Sequence, residues 1–423
     1  MTAPMRLPPR GRVRPARAPV VILNDASVAR GGATGLALLA ARSLHARGHA
    51  VTYVCGDAGD GGALEAEGIR TIALGGAALL GKPRLRAARD GLYDPAMRDG
   101  VARVIAEIDT PDTVYHLHGW AQILTPAVLD ALAPVARRCF LHAHDYFLAC
   151  PNGSFFDFGA AATCARTPLS VSCAAAGCDR RSRAHKVWRL ARQAVLRRAF
   201  AGPAWAGVLQ LHPGMAEGLA RGGVPRALLT TVRNPVEPWA PDRIEAERNH
   251  GLAYVGRTAS GKGVGLLCEA ARRAGLPLRV LGSVEDRPDL VRAYPEVTFA
   301  GWTPRDRIAA SLGSARVLVM PSRFAEPFGL VAPEAIRSGM PVAISDRALL
   351  ARDVMASAVG LAVDVSGPDA LAAGLRALHD RPDTEIAAMS RRGFAAEDAV
   401  AQTPETWTDQ LVALYDRART EAA

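Results

Sequence analysis

The sequence predicts an α/β protein of two Rossmann-like, doubly wound domains facing each other across a cleft. Three observations lead there. Apolar strand-like runs alternate with amphipathic helical segments along the chain, the pattern of parallel sheets covered on both faces. The series strand, glycine-rich turn, helix occurs near Val20 and starts again at Leu252. The chain has 423 residues, more than one typical core encloses, so length calls for two or three domains and the restart favours two.

Taken in order, residues 1–18, MTAPMRLPPRGRVRPARA, hold five arginines and four prolines without an apolar run, and read as a flexible basic leader rather than a signal peptide or anchor. The first domain is expected over 19–237. In it VVILND (20–25) is a strand, ARGGATG (29–35) a glycine turn, LALLAARSLHARG (36–48) a helix and HAVTYVC (49–55) the second strand. Strands TVYHLHG (113–119), CFLHAHD (139–145) and GVLQLH (207–212) extend the sheet. The proline-rich RNPVEPWAPDR (233–243) marks the boundary, and the second domain is expected over 238–400. Its strands are LAYVG (252–256), LRVLG (278–282), VTFAG (297–301), RVLVM (316–320), PVAIS (341–345) and GLAVD (360–364), with a helix over 264–273. Ligands of such sheets bind where the strands end, so the cleft between domains is the expected site.

Apolar residues make up 49% of the chain and charged ones 22%, which excludes a disordered protein. The net charge of +10 favours a negatively charged partner. Eight Arg or Lys lie in DRRSRAHKVWRLARQAVLRRAF (179–200), on a helix with Val187, Trp188, Leu190, Ala191, Ala194 and Val195. That apolar stripe either docks on anionic lipid headgroups or packs on the core and leaves the arginines in water. No aromatic-rich module accompanies the charge, so nucleic acid is not an expected partner. No run reaches the roughly 18 apolar residues of a spanning helix. A cytoplasmic location is expected, with peripheral contact at the inner face of the membrane through 179–200.

Of seven cysteines, Cys150, Cys164, Cys173 and Cys178 fall in an insert over 150–178. Only Cys173 and Cys178 approach the close spacing of a structural zinc site, so a zinc-stapled loop and four reduced thiols both stay open. His116 and His118 alternate on one strand face. With no third ligand apparent, no metal centre is expected.

Two stretches carry chemistry. GRTASGKG (256–263) looks like a triphosphate-binding loop, but Lys262 is followed by Gly263 instead of the hydroxyl that would hold magnesium. A phosphate site at the following helix N-terminus remains open to it. MPSRFAEPFGLVAPEAIRSGMPV (320–342) places Glu326 and Glu334 seven residues apart around a Phe-Gly turn that opens a short helix. Pro333 suits only a first turn, and Gly339 with Pro341 stops the helix. The backbone amides of Phe328, Gly329 and Leu330 would then face an anionic group.

This second stretch, read as P-S-x3-E-x-F-G-x4-E-A-x3-G-x-P-V, resembles the signature of the retaining glycosyltransferases of the two-domain GT-B fold, family four or "group 1". The resemblance implies that Glu326 contacts a donor hexose and Glu334 the ribose of a nucleotide. It implies that Arg257 and Lys262 meet the donor diphosphate, so that no metal or other cofactor is required; no Asp-x-Asp occurs in the sequence. Gly31 and Gly32 match the family's N-terminal glycine loop near the donor phosphates. LHAHDYFLACP (141–151) matches its histidine segment, which puts His144, with Asp145 next to it, beside the transferred sugar. A last helix within 401–423 is expected to cross back to the first domain. The implied activity is transfer of a hexose from a nucleoside-diphosphate sugar to a hydroxyl of a glycan or lipid-linked acceptor, with retention, in bacterial surface polysaccharide or glycoconjugate synthesis. The alternatives are an inactive nucleotide-sugar-binding protein and a nicotinamide dehydrogenase. The last is disfavoured because the first loop reads GGATG instead of G-x-G-x-x-G.

Overall fold

The computed structural model describes residues 17–29, 31–285, 287–395 and 400–422. The leader lies outside the described residues except for Arg17 and Ala18, as does Arg30 of the glycine turn.

Each lobe is built on one parallel sheet. The first contains β1 (Val20–Asn24), β2 (Val51–Cys55), β3 (Arg70–Ala73), β4 (Val114–Leu117) and β5 (Cys139–Ala143). After an antiparallel hairpin of β6 (Phe156–Asp157) and β7 (Ala162–Thr163), it is completed by β8 (Gly207–Gln210) and β9 (Leu229–Thr231). The order is β3-β2-β1-β4-β5-β8-β9. The second sheet contains β10 (Gly251–Val255), β11 (Leu278–Leu281), β12 (Thr298–Gly301), β13 (Ala315–Met320), β14 (Val342–Ser345) and β15 (Gly360–Val363), in the order β12-β11-β10-β13-β14-β15. Every residue of β1, β4, β5 and β8 is buried, as in sheets covered on both faces. Both strand orders reverse direction beside their first strand, between β1 and β4 and between β10 and β13. Chain ends diverge at such switch points and leave a crevice. This is the two-lobed GT-B architecture.

The expected strands all form, with ends within two residues of their sequence limits. Two more strands join the first sheet. β3 is a half-exposed edge strand and β9 has three residues, so neither carries a buried apolar run. The helix after β1 begins at Gly32, not Leu36, and continues to Ala46. Most of the expected glycine turn is therefore the first helical turn. Leu36, Ala37, Ala40, Ala41 and Leu44 give this helix its buried face at helical spacing.

The final helix, Pro404–Ala422, packs on the first lobe: Trp407, Leu411 and Tyr415 share a core cluster with Val20, Ile22 and Leu44. The chain thus passes between lobes twice, and the two crossings are hydrogen-bonded together. Val236 N donates to Gln402 O at 2.9 Å and Gln402 N to Asn234 O at 3.3 Å.

The basic helix runs from Arg183 to Ala201 and buries Lys186, Gln193, Leu196 and Phe200. The apolar stripe expected from its sequence is divided: Val187, Ala191 and Ala194 are exposed. Arg192 points inward, donating to Gly91 O and Ala121 O, both at 2.7 Å, beside the rings of Trp120 and Trp188. Burial pulls its pKa down to about 10. Among the described residues no helix is long and apolar enough to cross a membrane. All seven cysteines are free thiols. Lys186 Nζ stands 3.0 Å from Cys178 Sγ and 3.7 Å from Cys173 Sγ, while Cys164 lies against Arg166. An ammonium group, not a fourth thiol, fills the space between the first two.

Candidate active site

The glycine corner after β10 is shaped by its neighbour. Gly263 has φ +78°, and a Cβ there would lie 2.1 Å from the Pro321 carbonyl oxygen. A serine or threonine at this place is opposed by backbone conformation and by contact, which is why the loop lacks a magnesium ligand. The corner also leans on the loop after β13, where Arg323 N donates to Gly261 O at 3.0 Å.

This bracing aims Lys262 at Glu326. Nζ lies 2.7 Å from Oε1 and 2.6 Å from Oε2, and Ser322 Oγ donates to Oε2 at 2.8 Å. Glu326 is 9% exposed; a carboxylate that deep is tolerated because both oxygens have charged or hydroxyl donors. The chain then turns at Gly329, φ +68°, where a Cβ would meet Met320 Sδ at 2.6 Å. Phe328 anchors the turn at 2% exposure. The amides of Phe328, Gly329 and Leu330 donate to no backbone acceptor among the described residues. They precede the helix Val331–Arg337, so they remain available to a ligand.

These groups face a cavity of ≈ 820 Å³ between the lobes. The first lobe supplies Gly31, Gly32, His144 and Asp145. A Cβ on Gly32 would lie 3.0 Å from Leu330 Cδ1, so the lobes come close at this point. His144 Nε2 is 3.1 Å from His118 Nδ1, and burial pushes its pKa down to about 3: the imidazole is neutral. Asp145 lines the cavity and is exposed there. The surrounding protein raises it to about 6, against the opposite pull of the Phe147 amide and Arg192.

Sequence reasoning missed part of this wall. Arg180, Arg181 and Arg189 line the same cavity, whereas the sequence places all three on one basic helix with its arginines toward lipid or water. Ser182 caps that helix by accepting from His185 N at 3.1 Å, so Arg180 and Arg181 belong to the preceding loop. A Ser directly after the arginine pair is the signal that could have found them. Arg180 stacks 4.0 Å over the Phe158 ring. Burial, then the charges of Arg189 and Arg257, hold its pKa below the usual guanidinium range. Arg189 is paired with Asp179 at 3.0 Å. Arg180 and Arg257 have no carboxylate partner among the described residues. With Lys262, they give the cavity a cationic side suited to an anion.

One expected residue is not gathered. Glu334 lies outside the cavity wall, covered by Arg305, whose guanidinium bonds its carboxylate and the Glu237 carbonyl oxygen. Burial raises the Glu334 pKa despite that charge.

Comparison with known proteins gives the same second lobe. The family described as "Glycosyl transferases group 1" matches residues 239–393. A D-inositol 3-phosphate glycosyltransferase of Corynebacterium urealyticum is 32% identical over 182 residues, 39% of this chain and 42% of that protein. A glycogen synthase of Mycobacterium tuberculosis is 31% identical over 222 residues, 47% of this chain and 49% of that protein. The chain thus spans less than half the length of these curated relatives. Across nearly the whole chain the fold resembles that of sucrose-phosphate synthase from Thermosynechococcus elongatus, with a TM-score of 0.69, 20% identity, and coverage of 96% of this chain and 100% of that one. The Anabaena protein HepE, solved with UDP and glucose, has a TM-score of 0.65 at 16% identity, covering 95% of this chain and 100% of that one.

Proposed function

We propose, taking as premise that residues 239–393 form a glycosyl transferases group 1 domain within a GT-B fold, that this chain transfers a hexose from a nucleoside-diphosphate sugar to a hydroxyl acceptor with retention at the anomeric carbon. The observation that carries this reading is the Lys262–Glu326 pair, set on one inter-lobe cavity with Arg180, Arg257 and the amides of 328–330. HepE structures that hold UDP and glucose support a nucleotide-sugar donor.

In this reading the diphosphate lies against Lys262 and Arg257. Lys262 has three protons. It turns one toward phosphate, which frees a Glu326 oxygen to accept from a hexose hydroxyl. The acceptor oxygen bonds to the anomeric carbon on the face from which the diphosphate oxygen departs. The acceptor proton passes to that leaving phosphate, and the nucleoside diphosphate is released. Fixed cations and amides aimed at the departing oxygens are the stabilising element, and on this reading the diphosphate needs no metal. His144, being neutral, stands near the sugar without opposing the positive charge that builds at the anomeric carbon. Glu334 reaches the ribose once Arg305 moves aside. The proposed setting is surface polysaccharide or glycoconjugate synthesis, with a glycan or lipid-linked acceptor. Its membrane contact would use the exposed arginines of the 183–201 helix.

Thermal-shift measurements with UDP, GDP, ADP and their sugars, followed by mass spectrometry of products over an acceptor panel, test this. One nucleotide should stabilise the chain, and Glu326→Ala should keep that stabilisation while losing transfer. Absence of any nucleotide-dependent shift would sink the proposal. Binding without product under every donor would make the chain an inactive sugar-nucleotide binder.

A further inference from the structure

The first lobe holds a second constellation, and of its four histidines the transfer reaction uses only His144. β4 and β5 are paired with His116 opposite Phe140 and Leu117 opposite Leu141, so His118 comes next to His142. Alternate strand residues share a face, and His116, His118, His142 and His144 therefore stand together. His116, His118 and His142 are 0%, 3% and 3% exposed. Each offers one ring nitrogen, and those three atoms lie within 4.8 Å of one another. Nε2 of His118 and Nε2 of His142 are buried with no hydrogen-bond partner. His116 Nδ1 is 2.6 Å from the Tyr415 hydroxyl, and its Nε2 is 3.2 Å from His142 Nδ1. Unsatisfied buried nitrogens are costly.

We propose that His116, His118 and His142 bind a divalent ion of the zinc class. Three imidazoles without a carboxylate suit zinc, cobalt, nickel or copper and not magnesium or calcium. Ligand nitrogens ~2 Å from a tetrahedral ion stand a little over ~3 Å apart, so the rings need only close by side-chain rotation. His116 exchanges its contact with His142 for the ion. Tyr415, from the final helix, serves as the outer partner that orients His116. Ligation through His118 Nε2 leaves its Nδ1–H to donate to His144 Nε2, 3.1 Å away, and so sets the tautomer of the imidazole in the cleft. A second cavity of ≈ 640 Å³, lined by His118, His142 and His144, provides the entry path. The ion lies apart from the diphosphate cations. It orients and stabilises, and takes part in no bond-making step.

The test uses the full chain stripped with dipicolinate, then titrated calorimetrically with zinc chloride and, separately, with cobalt chloride under a visible spectrometer. One equivalent should bind and raise the melting temperature. The cobalt spectrum should show weak visible bands with no thiolate-to-cobalt charge transfer. His118→Gln and His142→Gln should each weaken binding at least tenfold, while the double variant Cys173→Ser/Cys178→Ser keeps it. Substoichiometric uptake by a folded chain would overturn the proposal and assign the cluster to bound water. A thiolate charge-transfer band, or binding lost in the cysteine variant and kept in the histidine variants, would overturn it in favour of the cysteine insert. If the histidine variants fail to fold, the cobalt spectrum of the unaltered chain still decides.

Discussion

The two walls of the cleft keep buried polar groups by opposite means. On the second-lobe wall an ammonium and a carboxylate face each other at 2.6 Å, and charge persists because it is paired. Behind the first-lobe wall, to which only His144 among them contributes, four imidazoles crowd together, ring centroids 4.1 to 5.2 Å apart, with no carboxylate against them among the described residues. A phosphate can exchange into a preformed ion pair. A neutral imidazole wall suits hydroxyls and a soft cation. The difference indicates which wall handles the charged end of a ligand.

The sharpest way to break this contrast is acid. His116, His118 and His142 have folded pKa values well below 6.5, so the unfolded chain binds more protons than the native one as pH falls through 6.5. Their contribution is complete above that value and is lost progressively as the pH falls toward the folded pKa values. Urea unfolding of the metal-free chain at pH 7.5, 6 and 5 should show this decline, and His142→Gln should make it shallower by about one proton. A flat profile would mean the rings are not buried neutral.

The opposite wall is probed next. Lys262→Ala should lower turnover about 10²- to 10³-fold in a product assay; unchanged turnover would remove Lys262 from the reaction. Gly263→Ala forces a side chain into positive φ and into the Pro321 carbonyl, and should cost about 2–3 kcal/mol of stability, read by denaturant titration. Arg180→Ala should weaken donor binding about tenfold, ~1.4 kcal/mol, in calorimetry. If it has no effect, the cationic side belongs to the second lobe alone. The smallest expected change is at Arg305. Arg305→Ala uncovers Glu334 and should tighten nucleotide binding about threefold, under ~1 kcal/mol; a loss of affinity would make Arg305 itself a nucleotide ligand.

The second-lobe wall was legible because its groups are close in sequence: Glu326, Phe328 and Gly329 lie within one turn, and the glycine corner stands at a strand end. Strands with buried apolar runs were legible for the same local reason. β3 was not, since an exposed edge strand such as RTIA carries no alternation. The histidine cluster was half legible. His116 and His118 share a strand face, but the third nitrogen comes from β5, and only the pairing of two strands brings it near. Arg180 was misplaced because charge counting does not see where a helix begins. Nothing local in the sequence places Arg305 over Glu334, which lies 29 residues on.

The final helix has a consequence for how the molecule comes into being. Trp407 and Tyr415 are fully enclosed by strands and helices from the first lobe, yet they leave the ribosome after both sheets have been translated. The lobe made first is therefore the lobe finished last. Until this helix is made, the first lobe lacks the apolar side chains that cover Val20, Ile22 and Leu44, while the second lobe is free to fold as a unit.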